Sequence, residues 1–171
     1  MLGVAFLLSI SNSAATADVF MDQSWAGKLC SAWNKSTVLT KDLATNDWMG
    51  NNSRGYKLIQ LYRTSCGQPS MVQLKIEAKD NQAVCTYGGL PDGQKLDKSV
   101  DYRLNASDLH WSEMGSGKYG PFKAMMFGYL NVQGPYDEAM YAMSPFSEFL
   151  KLAGSIPGDM GKNQCPAAKS K

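Results

Sequence analysis

The apolar residues of this chain recur in two rhythms, and each change of rhythm marks an element. Between Asp22 and Leu43, Trp25, Leu29 and Trp33 fall four apart and so share one helical face, and Thr37 to Leu43 reads as a second short helix. Asn46 to Gly55 is turn material, ending in Gly50-Asn51-Asn52-Ser53-Arg54-Gly55. The period then drops to two. Lys57 to Thr64 sets Ile59 and Leu61 on one side, and Met71 to Lys79 sets Val72, Leu74, Ile76 and Ala78 against Gln73, Lys75 and Glu77. Asp80-Asn81 is a hairpin turn, and Gln82 to Tyr87 groups Ala83, Cys85 and Tyr87. After a loop over 88–98, Ser99 to Asn105 alternates Val100, Tyr102 and Leu104 with Asp101, Arg103 and Asn105.

The rhythm then lengthens again. Asp108 to Gly115 reads as a short helix carrying Trp111 and Met114, followed by a flexible stretch to Gly120. Gly120-Pro121 and Gly134-Pro135 each open a helix, since proline at the first helical position gives up no intrahelical bond. Between the two, Tyr129 to Gln133 alternates as a short strand. Asp137 and Glu138 suit the positive end of the second helix, which Ser144-Pro145 kinks or restarts. Ala139, Met143, Phe146, Leu150 and Ala153 recur at helical spacing, and the tail from Ile156 is expected to be poorly ordered. Five alternating strands and these helices predict an α+β fold. Its sheet is five-stranded and mostly antiparallel, with one wet face and one face covered by helices.

The apolar residues around those helices are unusual in kind. Met114, Met125, Met126, Met140 and Met143 gather with Phe122, Phe146 and Leu150. Methionine is flexible and polarisable, so it fits an apolar space whose occupant changes. An ordinary core explains the same residues; a cavity for an apolar ligand is the sharper expectation.

Three stretches carry a resemblance: Gly55-Tyr56-Lys57-Leu58-Ile59-Gln60-Leu61-Tyr62-Arg63, Gly120-Pro121-Phe122-Lys123-Ala124-Met125-Met126-Phe127-Gly128, and Pro145-Phe146-Ser147-Glu148-Phe149-Leu150. Over about Trp25 to Pro157 the chain resembles the sterol carrier protein 2 family, and more closely its bacterial secreted members. The resemblance implies helices that enclose an apolar tunnel on the sheet. It also implies a non-catalytic carrier of lipid, sterol-like or fatty acyl ligands that needs no cofactor. A monomer with transient membrane contact is expected.

Charge and candidate chemistry narrow this further. The chain has 171 residues, with 17 Lys+Arg against 15 Asp+Glu, which suits one domain and argues against a general nucleic-acid binder. Residues 1–17 carry no charge, with an apolar run from Val4 to Ile10 and a small-residue site at Ala15-Thr16-Ala17. They read as a secretory signal peptide ahead of a domain over 18–157 and a flexible tail over 158–171, in a secreted or periplasmic protein. Cys30, Cys66, Cys85 and Cys165 then suggest up to two disulfides. Three connectivities exist, and Cys66–Cys85 with Cys30–Cys165 is the pairing favoured. No C-x-x-C spacing occurs and His110 is the sole histidine, so neither a metal site nor a catalytic set is expected. Gly115-Ser116-Gly117-Lys118 fails as a phosphate loop because Tyr119 stands where Ser or Thr must bind magnesium. Two alternatives stay open: an interaction module using the same apolar surface, and a small hydrolase using His110.

Overall fold

The computed structural model describes residues 18–45, 47–161 and 165–166. Residues 1–17, and with them the expected signal peptide, lie outside that set. Helix α1 (Gln23–Trp33) starts where the Asp22 carboxylate accepts the Trp25 N–H at 2.7 Å, and its inner face buries Trp25, Ala26, Leu29, Cys30 and Trp33. A π-helical turn (Val38–Asp42) stands in place of the second short helix. Strand β1 (Tyr56–Arg63) follows. Strands β2 (Val72–Lys79) and β3 (Gln82–Gly89) form a hairpin whose turn residues Asp80 and Asn81 both take positive φ, 51° and 57°.

Strand β4 (Tyr102–Ala106), helix α2 (Asp108–Gly115), helix α3 (Pro121–Met126) and strand β5 (Leu130–Gln133) come next. The chain then forms α4 (Tyr136–Tyr141) and α5 (Met143–Ser155). The break between them falls at Ala142, whose φ and ψ of −96° and 29° leave the helical region, so the helix restarts rather than kinks. Among the described residues no helix is long and apolar enough to cross a membrane.

The sheet order is β3-β2-β1-β4-β5, and every neighbouring pair is antiparallel except β1 with β4, which is parallel. The hairpin and the long loop after it carry the chain back to the start of β1, so β4 runs beside β1 in the same direction. As a result β1 is central and buried on both sides, while on the flanking strands the face away from the helices is wetter, with Lys75, Glu77, Arg103 and Asn105 half-buried and Thr86 and Asn131 exposed. Leu58, Gln60 and Tyr62 are buried on the face away from the helices. Polar groups there satisfy one another: Gln60 donates to Gln73 Oε1 at 3.0 Å, accepts from Arg103, and Gln73 donates to Asp92.

The helices pack so closely that some contacts admit no side chain. A Cβ on Gly88 would lie 2.3 Å from the Ala26 carbonyl oxygen, so α1 rests directly on the β3 backbone. Where α2 crosses α5, Gly115 and Gly154 meet backbone to backbone, each leaving under 2.5 Å for a Cβ on the other.

Two disulfides join Cys30 to Cys85 and Cys66 to Cys165. The four cysteines are those expected, but the favoured pairing is corrected. Cys30 lies on the inner face of α1 directly above β3, which carries Cys85, and that proximity excludes both favoured bonds. The segment after α5 is also more firmly held than the sequence suggests. Asp159 bridges Val19, the Phe20 N–H donates to Asp159 O at 3.0 Å, and Arg63 donates to the Met160 carbonyl at 3.1 Å.

Candidate functional site: an aromatic cavity beneath α4 and α5

A cavity of about 50 Å³ lies between the helical layer and the sheet, and almost all of its wall is apolar. The parallel register of β1 and β4 makes its floor, because it sets Ile59 beside Tyr102, with Leu104 next on the same face of β4. Trp33 from the end of α1 and Trp48 from the following loop form one side. Their rings are 6.4 Å apart, and Trp48 stacks on Tyr102 at 6.5 Å with a 10° interplanar angle. The roof is Ala139 of α4, Ala142 at the helix break, and Pro145, Phe146 and Phe149 of α5, with Phe149 edge-on to Trp33 at 5.7 Å. Small residues on α4 face aromatic ones across the space, which is why a void is left. It exceeds the room one water needs, but ligand pockets commonly measure about 300–1,000 Å³. The space is partly open at its rim, and a through-going tunnel is not seen among the described residues.

A polar cluster lies beside the cavity, outside its lining and beyond the Tyr102 ring. The Glu138 carboxylate receives Lys57 Nζ at 2.8 and 3.0 Å, and also bonds the Tyr102 hydroxyl and the Asn51 amide. Lys57 is fully buried. It donates to the Val100 carbonyl at 2.9 Å and lies 5.2 Å from the Trp48 ring centre and 5.7 Å from that of Tyr102. Burial lowers its affinity for a proton, and Glu138 only partly restores it. Burial, and then the bond to Glu138, push the Tyr102 hydroxyl well above its ordinary range, so it stays a proton donor. Outside this cluster an open depression is lined by Asp42, Thr45, Asp47, Asn51 and Tyr141.

The residues named from the sequence are not brought together as one lining. Phe146 lines the cavity; Leu150 is buried one turn further along α5, and Met114 is buried where α2 meets the core. Met125, Met140 and Met143 are half-buried outside the lining, and Phe122 and Met126 are exposed. Two phase errors explain this. Helix α3 turns Pro121 and Ala124 inward, which sends Phe122 and Met126 out. The break at Ala142 ends the single helical face assumed from Ala139 to Ala153, so Ala142 and Phe149 face the void and Met143 does not. Trp33, Trp48 and Tyr102 were missed because they belong to three separate elements.

His110 lies elsewhere. Its Nδ1 is 2.8 Å from the Tyr119 hydroxyl and 3.3 Å from Glu113, and its ring stacks on Tyr129 at 4.2 Å. Bonds from Lys118 and then Tyr119 hold the Glu113 carboxyl down to about 2.

Known proteins share this architecture. A solution structure of a conserved hypothetical protein from Thermus thermophilus superimposes with a TM-score of 0.52 at 18% identity, covering 88% of this chain and all of that one. A crystal structure of sterol carrier protein 2 gives a TM-score of 0.50 at 17% identity, covering 80% and 98%. At such identities the likeness establishes the fold. No curated protein matches the chain. The profile of the SCP-2 sterol transfer family matches residues 54–147, from the turn before β1 into α5, a segment that holds most of the cavity wall; the chain belongs to that family.

Proposed function

We propose that this chain binds lipid or sterol-like apolar molecules beneath α4 and α5 and transfers them without catalysis, as a monomer in an extracytoplasmic compartment. The observation that carries this reading is the aromatic cavity, with a polar cluster beside it beyond Tyr102. An apolar chain among Trp48, Tyr102, Phe146 and Phe149 gains about 0.8 kcal/mol for each buried CH₂, with little demand on its shape. Its polar head then meets the Lys57–Glu138–Tyr102 cluster. The family match and the two disulfides support, in turn, a lipid as ligand and an oxidising compartment.

The space must grow to admit such a ligand, and α4 is the element suited to move. It buries only Ala139, and its six residues are tied to the sheet through Glu138. Raising it widens the roof and brings Met140 and Met143 against the ligand, where their flexible side chains follow its outline. Mass spectrometry of lipids extracted from the purified protein, with titration of a fluorescent fatty acid, tests this. Co-purified lipid and saturable binding at one site per chain are expected. Protein that is lipid-free and also fails to bind the probe would overturn the reading.

A further inference from the structure

We infer that α3, the turn after it and the first turn of α2 form a surface with which this chain docks on a bilayer containing anionic lipid. Four large apolar side chains stand in solvent there: Leu109 is 64% exposed, Phe122 51%, Met126 62% and Phe127 59%. Phe122 and Met126, four apart, are neighbours on the outer face of α3. Phe127 stacks on Tyr129 at 5.8 Å and Tyr129 on His110 at 4.2 Å, and Leu109 is the residue before His110. Ring contacts therefore connect the end of α3 to the first turn of α2, on which Leu109 is exposed. The surface is also stiffly mounted, because Tyr119 bonds both His110 and Glu113 behind it. Large apolar side chains gathered on so stiff a mount mark an interaction site.

Charge selects the partner. On these elements Asp108 is paired with Arg63 and Glu113 with Lys118, which leaves the Lys123 ammonium as the charge beside the apolar side chains. Lys123 is exposed on α3, with its ammonium 5.7 Å from the Tyr119 ring. Aromatic and thioether groups flanked by lysine match the boundary between acyl chains and anionic headgroups, where rings enter the membrane and ammonium groups stay at its surface. Helix α3 packs on α5, whose Phe146 and Phe149 roof the cavity. The inference rests on the carrier reading for its purpose: a docked chain would hold its ligand site beside the membrane.

Flotation with phosphatidylcholine vesicles, with and without phosphatidylglycerol, tests it. The wild type should float with the anionic vesicles and more weakly with the neutral ones. Leu109→Ser with Phe127→Ser should lower partitioning by at least about tenfold on both, the loss expected when two inserted side chains are removed. Lys123→Glu should lower it on anionic vesicles only. Both variants should keep the wild-type melting curve and, without vesicles, its affinity for a fluorescent fatty acid. Failure of the wild type to float would overturn the inference. So would loss of probe binding in the Ser variant, which would make the patch part of the ligand site. A wild-type dimer in light scattering that the Ser variant dissolves, with no vesicle binding, would assign the patch to self-association instead. Vesicle binding with no probe binding by the wild type would sink the carrier reading and leave the docking surface standing.

Discussion

The two halves of the helical layer are held to the sheet by different means. Over β2 and β3, α1 is fixed at every level. Its apolar face is flush with the strands, Trp33 donates to Ala83 O at 2.8 Å, Asn34 bonds the Cys85 backbone in both directions, and Cys30 is joined to Cys85. Over β1 and β4, α4 is held by one buried alanine and one carboxylate, with empty space beneath. The first half is close-packed like any protein interior. The second has few buried apolar contacts, the mark of a segment that opens at low cost. Trp33 belongs to both, packing under α1 and walling the cavity. A rigid half can thus define one wall of a site while its neighbour adapts to the occupant.

The contrast breaks most severely at the staple. Cys30 and Cys85 are 55 residues apart, and closing a loop of that length is worth about 4 kcal/mol of chain entropy. Cys30→Ser with Cys85→Ser should lower the urea unfolding free energy by about that much, while molecules still folded bind the fatty acid probe normally. A cost under about 1 kcal/mol would show that packing alone holds α1.

A matched pair of substitutions sharpens the contrast at smaller cost. Ala26 is fully buried against β3, so Ala26→Leu should overpack and destabilise by about 1–3 kcal/mol. Ala142 faces the void, so Ala142→Leu should change stability by no more than about 0.5 kcal/mol and weaken the probe by about tenfold. Thermal melts and probe titrations of both variants decide the matter. Equal destabilisation would mean that the second half is as tightly packed as the first.

How far the sequence foretells these halves depends on whether the signal is local. The strands, α1 and the Asp80-Asn81 turn are legible because alternation, four-residue spacing and turn chemistry act within a few residues. The parallel pairing of β1 with β4 is not, since both strands alternate and only the path of the connection sets their direction. The disulfide pairing fails for the same reason: it depends on which strand lies under α1. At the site the periodicity of α4 and α5 is visible, but their phase is reset at Ala142, and the methionines fall beside the wall instead of on it. Single tryptophans and tyrosines on separate elements leave no spacing to read.

The smallest expected effect is an alkaline rise in stability supplied by Lys57 of the second half. The raised proton affinities of Lys75 on β2 and Tyr87 on β3 add only to a fall at higher pH. Among the described residues the buried charged side chains are Lys57, Arg63 and Asp101, and none belongs to α1, β2 or β3. Burial sets the proton affinity of Lys57 below its ordinary 10.5 in the folded chain. Between that folded value and 10.5 the unfolded chain therefore binds more protons, and stability rises with pH. Tyr102 acts in the opposite sense but in a different window: its folded affinity lies above the ordinary 10.0, so its contribution is complete below 10 and lost above it. Stability should accordingly climb as pH approaches 10 and fall beyond it, with a slope below about 1.4 kcal/mol per pH unit, the limit for one proton. Lys57→Met should flatten the climb and leave the fall. Urea unfolding at a series of pH values, for wild type and variant, measures both limbs. A wild-type curve that is flat below about pH 10, or a variant that climbs as steeply, would show that Lys57 loses no proton affinity on burial and that Glu138 fully compensates it.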